Sequence, residues 1–186
     1  MNEQDVITAC GLPAVGFGRA TATDLAAMKA GRKASLYADP LAWLVYDAVE
    51  LALEESRETI CAAKRTVGHI AISDQCTAHT LREIGTTISS GRISPLRFSG
   101  ACPGSVCALP GQFLGFNGPS MVLSMPAEQG LPVAVAIAKI WLREQAASHM
   151  IVTCHEANAA GHTVTSVIFT HMDKGGLTND DQKYHA

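Results

Sequence analysis

Charge and long apolar runs are scarce in this chain, and each scarcity excludes something. Charged residues make up 17% of the 186 positions, with 14 basic against 17 acidic, for a net charge of −3. That balance gives no footprint for nucleic acid, which calls for basic clustering. A charged fraction this low fits a surface that is itself partly buried in a subunit interface. No apolar run approaches the length of a transmembrane helix, and MNEQDVITACG lacks the basic region and apolar stretch of a leader. A cytoplasmic protein with no membrane partner is expected. The six cysteines, at 10, 61, 76, 102, 107 and 154, include no Cys-x-x-Cys pair, so no metal site or cofactor is expected. In a reducing compartment they read as thiols, most of them small buried apolar groups. No internal repeat or low-complexity segment interrupts the chain.

What is present is dominated by alanine and aliphatic side chains. At this length one domain with a sizeable core is expected. Val6–Ala9 reads as an opening strand, followed by a Gly/Pro loop. Thr23 or Asp24 caps a helix through Ala30 that Gly31 closes. Asp39-Pro40 is a sharper start, a cap residue followed by proline at the first helical position. From it Leu41, Leu44, Val45, Ala48 and Ala52 recur at helical spacing to about Ser56. Val67–Ser73 reads as a strand, followed by a helix with Leu81, Ile84 and Ile88 on one face that stops near Gly91.

The chain is organised around residues 93–130. They read as a loop, a short helix interrupted by Pro110, the turn Asn117-Gly118-Pro119, a buried strand Met121–Ser124, and the mouth of a long helix from Glu128 to Ala146. That helix carries Leu131, Ala134, Val135, Ala138 and Leu142 and is apolar nearly all round, so a central, buried position is expected. Strands Met150–Cys154 and Thr163–Thr170 follow, then a polar tail, 173–186. The alternation predicts an α/β fold, a five-stranded mixed sheet with helices on both faces. A strand that ends at the mouth of a helix is where such proteins place chemistry, since free N–H groups and the helix dipole meet there. Here the mouth reads Met125-Pro126-Ala127-Glu128-Gln129, with no nucleophile.

Several stretches resemble the β-ketoacyl synthases and their chain-length-factor relatives. VITACGLPAVGFG followed by DLAAMKAGRKAS is similar to their opening strand, loop and helix. GRISPLRF, the GFNGPS turn before the central strand, and HMIVTCHEAN continue the likeness across most of residues 5–170. The resemblance implies a single thiolase-like half over 1–172. It also implies a strand after the GPS turn that pairs across a dimer interface, and an acyl pocket shared between subunits. The expected partners are an acyl carrier protein with a 4'-phosphopantetheine-linked acyl chain and a dimer mate, itself or a ketosynthase homologue.

Two departures bear on activity. The family's nucleophilic cysteine falls on Ala127, which cannot form an acyl thioester. The two histidines and the lysine that drive condensation belong to a second half with no counterpart in these residues. A noncondensing, chain-length-factor-like role in a type II polyketide pathway is therefore expected. Chain-length factors can carry Gln in place of the cysteine, but Gln129 falls two positions late.

The alternative is a cysteine-dependent cis/trans isomerase of a polyenoyl thioester in a highly reducing type II polyketide pathway. Cys102 would add to the conjugated chain, with His155 or Glu128 handling the proton. The resemblance sets Cys76, Cys102, Ala127 and Cys154 around the acyl pocket, with Cys154 and His155 at the exit of the fourth strand. The plainer readings are packing for a buried cysteine, a fixed hydrogen bond for a strand-end histidine, and dipole complementation for Glu128. Cys10, Cys61 and Cys107 read as structural. Arg97 reads as a solvated loop charge, or a contact to a carrier protein's acidic surface or to a subunit partner.

Overall fold

The computed structural model describes residues 11–29, 37–88, 90–91 and 95–171. The expected strand Val6–Ala9, Cys10 and the tail 173–186 lie outside them. The order is β1 (Ala14–Ala22), a 3-10 turn (Leu25–Lys29), α1 (Pro40–Ala52), α2 (Arg57–Ala62) and β2 (Val67–Ile72). Then come α3 (Ala78–Ile88), α4 (Arg97–Ala101), α5 (Ser105–Leu114), β3 (Ser120–Leu123), α6 (Ala127–Arg143), β4 (His149–Asn158) and β5 (Gly161–Thr170). The strands form one sheet in the order β1-β5-β4-β2-β3. β2 runs parallel to β3 and β4, while β5 is antiparallel to both β4 and β1. The sheet is mixed, as the alternation of elements implied.

Each face of the sheet carries its own core. On one, Leu41, Leu44, Val45 and Ala48 of α1 pack on Ile151, Val164 and Ile168. On the other, Leu131, Ala134, Ala138 and Leu142 of α6 pack on Ile70, Ile72, Val152 and Phe169. Successive residues of a strand point to opposite faces, so these sets alternate along β2, β4 and β5.

The structure corrects several expectations. Residues 14–22, read as a Gly/Pro loop, form the edge strand β1. Its glycines are required by packing: a Cβ on Gly18 would stand 2.1 Å from the Ala48 carbonyl oxygen, so α1 lies directly on the strand backbone. The helix expected from Thr23 or Asp24 is a 3-10 turn. The GPS-turn strand is an edge strand rather than a buried one, with Met121 36% exposed. α6 buries one face only, leaving Val133 and Ile140 exposed, because a single sheet covers it. On α3, likewise, Ile84 is buried whereas Leu81 and Ile88 are open.

The Asp39-Pro40 start is present and does more than one helix requires. Asp39 is fully buried, and its Oδ1 accepts the Leu41 N–H at 2.9 Å, capping α1. Its Oδ2 accepts the Thr80 N–H at 2.9 Å, in the first turn of α3. One carboxylate therefore satisfies orphan donors at two helix N-termini, where dipoles and hydrogen bonds both favour negative charge. Asp39→Ala is expected to destabilise the protein by about 2 kcal/mol, twice the usual cost of one lost cap. Asp39→Asn, which keeps one acceptor oxygen, should fall between the two in urea unfolding; equal stability of all three would refute the double cap.

Candidate functional site

β2 and β3 end side by side, with Ile72 paired to Leu123 and the Ser73 N–H donating to Leu123 O at 3.1 Å. Beyond β3 the chain turns through Ser124, Met125 and Pro126 into α6, whose first residue is Ala127. Ala127 is 6% exposed and packs in the α6-side core. Gly130 makes this approach possible, since a Cβ there would meet Ile72 Cγ2 at 2.3 Å. The strand-to-helix elbow is built, and its first helical residue bears a methyl group.

At the exit of β2 the chain forms a tight turn around Ser73. Ser73 Oγ accepts the N–H groups of Gln75 (3.2 Å) and Cys76 (2.9 Å). Its own proton therefore goes to His155 Nδ1, 2.8 Å away. That fixes the tautomer: His155 Nε2 carries the other proton and donates it to His162 Nδ1 at 3.0 Å. Burial, and after it the neighbouring His162, lowers the His155 pKa to about 4, so the ring is neutral at pH 7. His162 is lowered too, by burial. Cys76 closes the turn with φ +44°, a left-handed conformation uncommon for a side chain other than glycine. Its thiol donates to Ser73 O at 3.0 Å and lies 3.4 Å from Ser124 Oγ, which joins the two strand exits.

The structure brings some of the singled-out residues together and separates others. Cys76 stands at the elbow. Cys102 is exposed immediately after α4, and its loop is held near the β2 exit because Thr77 Oγ1 donates to Ala101 O at 2.7 Å. Cys154 and His155 are not at a strand exit, because β4 continues to Asn158. Being adjacent, they face opposite ways: Cys154 packs with Ala127 under α6, and His155 meets Ser73 on the other face. Glu128 and Gln129 are exposed on the first turn of α6, and Arg97 is half-buried at the start of α4. Cys107 is buried and donates to Met121 O at 3.2 Å; burial pushes its pKa up to about 12, so it is an inert thiol.

Sequence reasoning missed Ser73, Ser124 and His162. The signal for His162 was the short Asn158–Gly161 hairpin, which sets His155 and His162 on one face near the turn. It also missed a second polar row, in which His69 Nε2 meets Thr153 Oγ1 at 2.9 Å and Thr153 meets Ser166 Oγ at 2.8 Å. Among the described residues, no group of three or more His, Cys, Asp or Glu side chains is placed to hold a metal ion. Nor is any helix there long and apolar enough to cross a membrane.

No family model and no curated protein sequence matches the chain. Solved structures do, and they are proteins of the thiolase-type α/β fold. One, titled the ishigamide ketosynthase/chain length factor, superposes with a TM-score of 0.69 at 10% identity, over 87% of this chain and 62% of that one. A ketosynthase in complex with its chain length factor from Xenorhabdus doucetiae gives 0.59 at 8% identity, over 87% and 79%. A type II polyketide synthase acyl-carrier protein in complex with its ketosynthase gives 0.61 at 14%, over 86% and 62%. The fold is thus a single thiolase-like half of the ketosynthase and chain-length-factor kind, and the chain spans 62% of the length of the first of these structures.

Burial of the histidines sets an acid limit on stability. His69 and His155 both sit at about 4 when folded against an ordinary value of 6.5. Between those values the unfolded chain binds more protons, so stability is full above pH 6.5 and falls as pH drops towards 4. Each histidine should cost up to roughly 3 kcal/mol across that window. Unfolding measured over the window should show the loss, and His155→Gln should remove one share of it. An unchanged slope in that variant would refute the assignment.

Proposed function

We propose that this chain is a noncondensing ketosynthase-like protein that binds carrier-protein-bound acyl or polyketide chains in a type II polyketide pathway, as the chain-length-factor-like partner of a ketosynthase. The observation that carries this reading is Ala127. It occupies the buried first position of α6, where the resemblance puts the nucleophilic cysteine, and a methyl group forms no acyl-enzyme. An elbow kept intact without its nucleophile supports binding over condensation.

Surface features support a partner. β3 is at the edge of the sheet with Met121 exposed, and an exposed edge strand is a template for pairing with another chain. Leu81, Ile88, Leu96 and Phe98, on α3 and around α4, are each more than half exposed. The solved structures named above include a ketosynthase with its chain length factor and a ketosynthase with its carrier protein.

The isomerase reading rests on Cys102, an exposed thiol on a loop tied to the β2 exit. In it the thiolate adds to the conjugated chain, forming a C–S bond and sending the electron pair into the thioester enolate. Rotation about the saturated bond and elimination then restore the double bond and the thiolate. Both ring nitrogens of His155 are engaged by Ser73 and His162, so exposed Glu128 is the base left for this route.

Coexpression with a type II ketosynthase separates the two. The expected result is a stable heteromeric complex that Met121→Arg, on the β3 edge, disrupts and Cys102→Ser leaves intact, with product unchanged by the latter. A self-sufficient protein that isomerises a polyenoyl-pantetheine, and loses that activity in Cys102→Ser, would overturn the partner reading.

A further inference from the structure

The Ser73–His155–His162 row has no place for an additional proton. Ser73 Oγ accepts the Gln75 and Cys76 N–H groups and donates to His155 Nδ1. His155 Nε2 donates in turn to His162 Nδ1, the two rings lying 10° from parallel. A neutral imidazole has one basic nitrogen, and in both histidines that nitrogen already accepts the preceding hydrogen bond. A proton added to His162 Nδ1 sets two N–H groups against each other. Reversing the His155 tautomer to relieve this aims a third N–H at Ser73 Oγ, which has only two lone pairs. Either way the row loses a hydrogen bond.

The two ends of the row lie in different surroundings. His162 is partly buried beside Ala22 of β1, one residue past the hairpin turn at Gly161, where a proton arrives from solvent. Ser73 is fully buried and anchors the turn that leads to Cys76. Cys76 is 8% exposed and held at φ +44°, its thiol donating to Ser73 O. Loss of the Ser73 acceptor removes a contact that keeps this left-handed backbone in place. Thr77 ties the same turn to the end of α4.

Charged and titratable groups face the pair from several elements: Asp24 after β1, His79 and Arg82 on α3, Asp74 beyond β2, and Glu156 on β4. The three carboxylates favour a proton on the pair, whereas Arg82 and His79 oppose it. Burial outweighs them and lowers both histidines. The row is therefore intact above the ordinary histidine value and is disrupted as pH falls below it.

We propose that the Ser73–His155–His162 row is a proton-operated latch: a proton at its His162 end releases the Ser73–Thr77 turn at the β2 exit and uncovers Cys76 while the sheet stays folded. The latch goes beyond the partner reading and does not rest on it.

The test compares labelling of Cys76 with labelling of exposed Cys102 in the same sample, using a dithiodipyridine, which reacts in acid. The ratio removes the reagent's own pH dependence. From about pH 8 down to about pH 5, the span in which histidines titrate, it is expected to rise roughly tenfold, the worth of one buried hydrogen bond. The rise should follow the His162 ring signals in NMR, with near-ultraviolet circular dichroism unchanged. His162→Gln, whose amide oxygen accepts the His155 proton without titrating, should hold the ratio flat. A constant ratio in the wild type would overturn the latch. So would a rise that persists in His162→Gln, or one that appears only as the circular dichroism is lost. None of these outcomes involves a ketosynthase or a carrier protein.

Discussion

Everything at the β2 exit hangs from one buried carboxylate. Asp39 caps α1 with one oxygen and the first turn of α3 with the other. α1 is the main cover of one sheet face, and α3 begins two residues after Cys76, so the cap fixes the Ser73–Thr77 turn relative to the sheet. Thr77 in turn holds the end of α4, which positions the Cys102 loop. A buried charge is tolerated here because two helix N-termini supply its hydrogen bonds. The strained backbone at Cys76 persists within this over-determined turn.

The two faces of the sheet differ in kind. Beneath α6 the strands present aliphatic residues, Cys154 and Phe169. Beneath α1 and α5 the aliphatic core is crossed by two polar rows, His69–Thr153–Ser166 and Ser73–His155–His162. Both histidines are neutral because burial disfavours their charged form. A neutral imidazole can be donor and acceptor at once, which lets it bridge hydroxyls across strands with no charge to compensate. The Ser73 row is satisfied at both His155 nitrogens. In the His69 row the outer ring nitrogen, Nδ1, is buried, and a backbone hydrogen bond at Cys107 acts on the ring.

The elbow keeps its architecture while lacking a nucleophile. Ala127 packs with Ile72 and Cys154, and Gly130 admits Ile72 so closely that the helix cannot stand farther off without opening a void. At the helix mouth this packing holds a methyl group. Around it the described residues leave β3 at a sheet edge and apolar side chains on α3 and α6 exposed.

The sequence by itself determined the elements whose signals are local. Asp39-Pro40 announced α1 through cap chemistry, the runs 67–73 and 163–170 read as strands, and the resemblance at the GFNGPS turn located β3 and the elbow with Ala127 at its head. Only the tertiary structure decided what those elements meet. It made residues 14–22 a strand, because their glycines answer to a helix lying on them and no local pattern reports that contact. It put β3 at an edge and left one face of α6 open, since burial depends on neighbours. It carried β4 past Cys154 and so sent Cys154 and His155 to opposite faces, because a strand's alternation assigns sides only once its length is known. The hydrogen bonds that join Ser73 to His155, and His69 to Thr153, link residues more than eighty positions apart. Such pairings follow from strand register, which the chain acquires only on folding.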